Sequence, residues 1–157
     1  MSASEEKSAT VVAAAIQKWA SVAGGLMPLL QAIQKHNGFI PKASVTTIAK
    51  AVNLSRAEVH GVIGFYHDFS YKPQGRITIQ VCRAEACQAM GSQQLEHHIK
   101  ARLGIDFDET TADGQFSLKP VYCLGNCACT PSIRIADEVY ARVDADRFDE
   151  ILSEVSA

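Results

Sequence analysis

The sequence predicts an α+β protein: a small helical bundle over residues 1–72, then an α/β domain over residues 73–157 whose elements run βαβ and then ββα around a mixed sheet. Three features predict this. Up to about residue 70 the apolar residues recur at helical spacing. At "SYKPQG" a Pro-Gln-Gly turn punctuates the chain, and "RITIQVC" then alternates apolar and polar residues, the period of a strand. Finally, all five cysteines fall in two short runs, "VCRAEACQAM" and "VYCLGNCACT", each at the end of a predicted strand.

Four helices account for the first part. One is expected from about Ser8 to Val22, with Val12, Ile16, Trp19 and Ala20 at helical spacing and Gly24-Gly25 ending it. The next, from about Met27 to Lys35, presents Leu29, Leu30 and Ile33 and stops at "HNG", where Asn37 or Gly38 can take the left-handed conformation. In "KASVTTIAKAV", Val45, Ile48 and Val52 form one stripe. In "SRAEVHGVIGFYHDF", Ser55 and Glu58 make an S-x-x-E capping box ahead of an apolar face. Four short helices with brief connections make a small bundle.

Beyond the turn, a strand is expected at 76–82, with Ile77, Ile79 and Val81 on one side. A helix from about Gln88 to Arg102 follows, then an acidic loop "DFDETTADG" and a strand at 115–122. "SIRIA" and "VYARV" read as a hairpin around Asp137-Glu138, and a helix from about Asp146 to Val155 closes the domain. Two parallel strands joined by a helix end on the same sheet edge, and open α/β folds place their sites in the loops leaving that edge. Cys82 ends the first strand and Cys123 follows the second. The 35 residues between Cys87 and Cys123 are what one helix, a loop and a returning strand need, so both cysteine pairs are expected to face one point.

Bulk properties exclude several classes. A chain of 157 residues can bury roughly two-thirds of its unfolded surface and needs no disulfides to fold. Residues 1–70 carry six Lys/Arg against four Asp/Glu and the remainder nine against thirteen, so neither part has the basic face that nucleic acid requires. "MSASEEKSAT" has an acidic start where a signal peptide is basic, and "VVAAAIQKWASVAGGLMPLLQAI" is interrupted by Gln17, Lys18 and Gly24-Gly25 short of the ~20 apolar residues of a membrane span. A cytoplasmic protein with no membrane insertion is expected. In that compartment thiols stay reduced, and an odd count of five cysteines points the same way, toward metal or redox chemistry. No G-x-G-x-x-G after a strand and no G-x-x-x-x-G-K-[ST] is present, and no nucleophile-and-base constellation stands out.

Cys82-x4-Cys87 and Cys123-x3-Cys127 offer four thiolates. A dithiol redox site is set aside, because no C-x-x-C occurs. A Rieske centre needs two histidines, and neither run contains one. Two readings stay open: a 2Fe-2S cluster, with two thiolates per iron, and a tetrahedral zinc in a structural interaction module. The motif shape leans toward the cluster, since zinc knuckles favour tighter turns.

"VCRAEACQAMGSQQL" followed by "YCLGNCACTPSIRI", and preceded by "HNGFIPKASVTTIAKAVNLSRAEVHGVIGFYHDF", resembles the thioredoxin-like 2Fe-2S subunit family of NADH:quinone oxidoreductase (complex I), NAD-reducing hydrogenases and NAD-dependent molybdenum formate dehydrogenases. The resemblance runs over nearly the whole chain. It implies a thioredoxin-like domain with Cys82, Cys87, Cys123 and Cys127 as ligands of one 2Fe-2S cluster, and Gly125 permitting the turn between the last two. It further implies an electron-transfer role without catalysis, a flavin (FMN) partner subunit that handles NAD(H), and other iron–sulfur and molybdenum subunits in the same assembly. Within the family, "CLGNCACTP" and the small size look most like the gamma subunit of a soluble NAD-dependent formate dehydrogenase, with complex I and hydrogenase subunits as alternatives.

Cys129 departs from the family pattern and reads as a free thiol packed near the site. His97 and His98 read as solvated side chains on a helix, and His60 and His67 as packing or partner contacts. Arg83, beside Cys82, is a candidate for raising the cluster potential, because a cation favours the reduced, more negative form.

Overall fold

The computed structural model describes residues 3–156. Their contacts divide the chain into two compact units between Pro73 and Gln74. No helix of the described residues is long and apolar enough to cross a membrane.

The first unit contains α1 (Ala3–Trp19), α2 (Leu26–Asn37), α3 (Val45–Ala51) and α4 (Arg56–Phe65), with a 3-10 turn at Lys42–Ser44 leading into α3. α1 begins five residues earlier than the apolar spacing indicates. Its opening turns are polar, and a polar turn leaves no mark on a pattern of apolar residues. It also stops at Trp19, short of the expected Val22, and residues 20–25 form turns. α2 ends where Gly38 takes φ +78° and its N–H donates to the Gln34 carbonyl at 2.7 Å, a closure that an L side chain resists. Val12 and Ala15, Leu29, Leu30 and Ile33, Val45 and Ile48, and Val59 and Ile63, one set from each helix, build the core of this unit. Its last segment is tied back by Gln34, whose amide donates to the Asp68 carbonyl and accepts from the Ser70 N–H.

The capping box at α4 forms as the sequence indicates. Glu58 N–H donates to Ser55 Oγ at 3.2 Å, and Ser55 N–H donates to the Glu58 carboxylate at 2.7 Å. That second bond holds the Glu58 carboxyl below its ordinary pKa. A carboxyl whose pKa is depressed by folding stabilises fully above its unfolded value, and the contribution is lost as pH falls through the folded value. Ser55→Ala is expected to lower unfolding stability by about 1 kcal/mol at neutral pH. Glu58→Gln is expected to flatten the acid limb of stability against pH; urea titrations at pH 7 and below pH 4 check both.

In the second unit, β1 (Ile77–Cys82) is central to a five-stranded sheet of order β2-β3-β1-β4-β5, with β2 (Glu109–Thr110), β3 (Phe116–Val121), β4 (Ile133–Ile135) and β5 (Glu138–Tyr140). β1 and β3 run parallel, in register from Ile77↔Phe116 to Cys82↔Val121, and the other three pairings are antiparallel. The sheet is therefore mixed. α6 (Ser92–Leu103) and α7 (Ala145–Ser156) supply Leu95, Ile99, Phe148, Ile151 and Leu152 to a core shared with Ile79, Val81, Phe116, Leu118, Ile133 and Ile135. Thr78, Gln80, Ser117, Lys119 and Arg134 fall on the opposite face by alternation and register.

The structure corrects three expectations. The single helix over 88–102 is two: α5 (Glu85–Ala89) and α6, parted at Met90-Gly91, where Gly91 has φ +90°. The acidic loop contains β2, which pairs with β3 through Glu109↔Leu118 and Thr110↔Ser117. The hairpin turn lies at Ala136-Asp137, and Glu138 belongs to β5, pairing with Ile135.

Candidate metal centre

The parallel register of β1 and β3 decides where the cysteines lie. Cys82 is the last residue of β1, opposite Val121, and Cys123 is two residues past the end of β3. The edge is closed by Arg83 N–H, which donates to the Val121 carbonyl at 2.7 Å, and by Cys82 N–H, which donates to the Ser132 carbonyl at 3.2 Å. α5 begins three residues after Cys82 and carries Cys87 back toward it.

The sulfurs stand as two pairs. Cys82 and Cys87 are 2 % and 3 % exposed, whereas Cys123 and Cys127 lie at the surface with their sulfurs 3.6 Å apart. Charge on Cys127 is felt by Cys87, and charge on Cys82 by Cys127, so the inner and outer pairs share one electrostatic site. Among the described residues no group of three or more His, Cys, Asp or Glu side chains is placed to hold a metal ion.

The outer loop is shaped for its sulfurs. Cys123 has φ +144° and Gly125 φ +76°, and Gly125 N–H donates to Cys123 Sγ at 3.3 Å. That bond, followed by the contact with Cys127, holds the Cys123 thiol below its ordinary pKa; Cys127, sharing its proton with Cys123, is held above. Burial, then the Cys82 thiol, pushes Cys87 up to about 11, opposed by the Ser132 backbone N–H. A metal displaces these protons on binding.

The four thiols fit a group of two metal ions, one for each pair, while no three of the described donors stand around a single point. For tetrahedral sites with metal–sulfur bonds of ~2.3 Å, two thiolates on one ion stand about 3.8 Å apart, close to the 3.6 Å of Cys123 and Cys127. A 2Fe-2S cluster takes four thiolates, two on each iron, which matches two pairs. Gly125→Ala tests the loop: the added Cβ meets nothing within 4 Å, so only the left-handed backbone resists it. The expected loss is about 1–2 kcal/mol, seen as a lower melting temperature of the metal-loaded protein.

The other singled-out residues lie as follows. Cys129 ends a 3-10 turn, Cys127–Cys129, and is half-buried. Arg83 is engaged rather than free, its Nε 2.9 Å from Glu96 and its guanidinium over the Phe107 ring. His98 is not merely solvated: its Nε2 lies 3.1 Å from Asp149 Oδ2 without hydrogen-bond geometry, and its ring meets Phe148 edge-on. His60 Nδ1 is 2.5 Å from the Tyr71 hydroxyl, a packing contact. Sequence reasoning missed Ser132 and Asn126, whose side chains are joined at 3.1 Å although both lie in the stretch "YCLGNCACTPSIRI" that carries the outer cysteines. Beside Cys127 a groove of about 860 Å³ opens, lined in part by Met90, Ala128, Pro131 and Arg142.

Comparison with known proteins adds a lineage. Residues 12–156 match the profile of the family described as thioredoxin-like 2Fe-2S ferredoxin. An NADH-quinone oxidoreductase subunit of Rhizobium meliloti (strain 1021) is 33% identical over 146 residues, covering 93% of this chain and 87% of that protein. NADH-quinone oxidoreductase subunit 2 of Thermus thermophilus is 35% identical, with coverages of 84% and 74%. The NADP-reducing hydrogenase subunit HndA of Solidesulfovibrio fructosivorans is 33% identical, with coverages of 83% and 77%. Among solved structures, an NAD+-reducing NiFe-hydrogenase in the H2-reduced state aligns over 84% of this chain with a TM-score of 0.67 at 23% identity, a likeness of fold. This chain spans 22% of the length of that hydrogenase chain.

Proposed function

The chain belongs to the thioredoxin-like 2Fe-2S ferredoxin family, and on that premise we propose that it is a non-catalytic electron-transfer subunit of an NAD-linked oxidoreductase complex, with its cluster held by Cys82, Cys87, Cys123 and Cys127. The family's cofactor is a 2Fe-2S cluster. The observation that carries the residue assignment is the gathering of the two sulfur pairs at the C-terminal edge of β1 and β3, the outer pair 3.6 Å apart.

When bound, the cluster supplies reversible electron transfer. The chain's own part is to supply four thiolates, to offer an N–H donor to sulfur from Gly125, and to bury one pair while exposing the other. The exposed Cys123 and Cys127 give a partner's redox group its route of approach. Residues 73–157 serve as the cluster domain. Residues 1–72 serve docking, since a helical bundle of that size exceeds what the cluster needs.

The partner is an FMN- and NAD-binding flavoprotein subunit, with other iron–sulfur and molybdenum subunits beyond it, in the cytoplasm. We assign the parent complex to NAD-dependent formate dehydrogenase on the resemblance of "CLGNCACTP". A second reading is favoured by the names of the relatives: the equivalent subunit of an NADH-quinone oxidoreductase or of an NAD(P)-reducing hydrogenase.

Anaerobic purification of the tagged chain from its native cells tests this, with iron, sulfide and zinc assays and mass spectrometry of what copurifies. Iron and sulfide in equal amount, a flavoprotein and a molybdenum subunit, and formate-dependent NAD reduction are expected. Hydrogenase or quinone-reductase subunits in their place would transfer the chain to the second reading. One zinc per chain without sulfide would end both.

A further inference from the structure

Ser132 is 2 % exposed, one of the few buried polar residues described in the second unit, and buried hydroxyls require partners. Its hydroxyl accepts from Asn126 Nδ2 at 3.1 Å and donates to the Cys129 carbonyl at 3.2 Å. Its carbonyl accepts from Cys82 N–H at 3.2 Å. One residue thus holds the end of β1 at Cys82 through its backbone and the outer loop through its side chain.

Asn126 is the other half. It lies directly before Cys127 and directly after Gly125, whose N–H bonds to Cys123 Sγ. The Asn126 carbonyl also accepts from Cys129 N–H at 3.0 Å, so backbone and side chain both fix the loop that presents the outer pair. The contact at 3.1 Å is what ties the side chains of the C-x3-C loop to the segment that carries Ser132.

We propose that Asn126 and Ser132 form a clamp that sets the separation of the two sulfur pairs and aims the Gly125 N–H at Cys123, making them positioning residues for the redox centre. The clamp rests on the ligand assignment above. Its consequence follows from charge: N–H···S bonds favour the more negative, reduced form, so a slackened clamp lowers the midpoint potential. It also frees iron, because the two pairs no longer move together. Residues that share a contact show non-additive effects, so removing both partners is no worse than removing Ser132, which also holds the Cys129 carbonyl.

The test compares the full chain, purified anaerobically, with Asn126→Ala, Ser132→Ala and the double variant. Iron and sulfide content, an electron paramagnetic resonance redox titration and the rate of iron release to a ferrous chelator are measured. Each single variant is expected to show a lower midpoint potential and release at least about tenfold faster, the worth of one buried hydrogen bond, with Ser132→Ala the larger effect because it also loses the bond to the Cys129 carbonyl. The double variant is expected to match Ser132→Ala. Wild-type potential and release in the alanine variants, or effects that add, would overturn the clamp while leaving the ligands intact. A wild-type chain without iron would overturn the ligand assignment and the clamp with it. If Ser132→Ala does not fold, Asn126→Ala decides alone by the same readings.

Discussion

Cys127→Ser is expected to leave the protein without its cluster: iron falls from the two per chain of a 2Fe-2S centre to near none, and the visible absorption and the paramagnetic signal of the reduced protein disappear. A serine hydroxyl stays protonated at neutral pH, so the iron facing Cys123 would keep one thiolate of its two. The replacement cannot come from Cys129. Its N–H is committed to the Asn126 carbonyl, and its own carbonyl accepts from Arg142 N–H at 3.0 Å and from Ser132 at 3.2 Å. Three bonds fix this backbone, so a backbone shift that carried Cys129 to the position of Cys127 would break them. Cys129→Ala is therefore expected to keep full iron content. A Cys127→Ser protein that retained iron, or a Cys129→Ala protein that lost it, would overturn the ligand set; iron and sulfide assays on the two variants side by side decide.

The site was legible in the sequence because its parts are short-range. C-x4-C and C-x3-C each lie within six residues, and the crossover rule alone put Cys82 and Cys123 on one edge. The capping box at Ser55 and Glu58 was visible for the same reason, since both halves sit within four residues. What escaped was long-range or unmarked by period. β2 is two residues long and acidic, and only its pairing with Leu118 and Ser117 makes it a strand. The break at Gly91 fell inside a helical pattern, where a lone glycine reads as tolerated. Arg83 drew notice by standing next to Cys82, but its partner Glu96 is one and a half turns into α6, and Glu96 is in turn bound by Lys100 at 2.7 Å. The cation is thereby partly neutralised, which no local spacing could indicate. Ser132 stands out in no local spacing; its contacts arise where the connection from β3 to β4 meets the end of β1.

The second large effect is expected far from the cysteines. Phe148 on α7 is fully buried, with Ile79, Val81 and Leu118 in the same core and His98 edge-on at 6.1 Å. Phe148→Ala removes this ring and leaves a cavity, for a loss of about 3–5 kcal/mol. That is a large part of the roughly 5–15 kcal/mol typical of a domain. Val139→Ala, at a side chain 46% exposed, is expected to change stability by less than about 0.5 kcal/mol. Urea titrations of the metal-loaded proteins, followed by circular dichroism and by the visible absorption of the cluster, separate the two. Since β1 and β3 both share this core with Phe148 and end at the cysteines, the absorption of Phe148→Ala is expected to bleach at the same lowered urea concentration as the fold is lost. Bleaching at the wild-type concentration would mean that the sulfur pairs are held by their loops alone, independent of the sheet that delivers them.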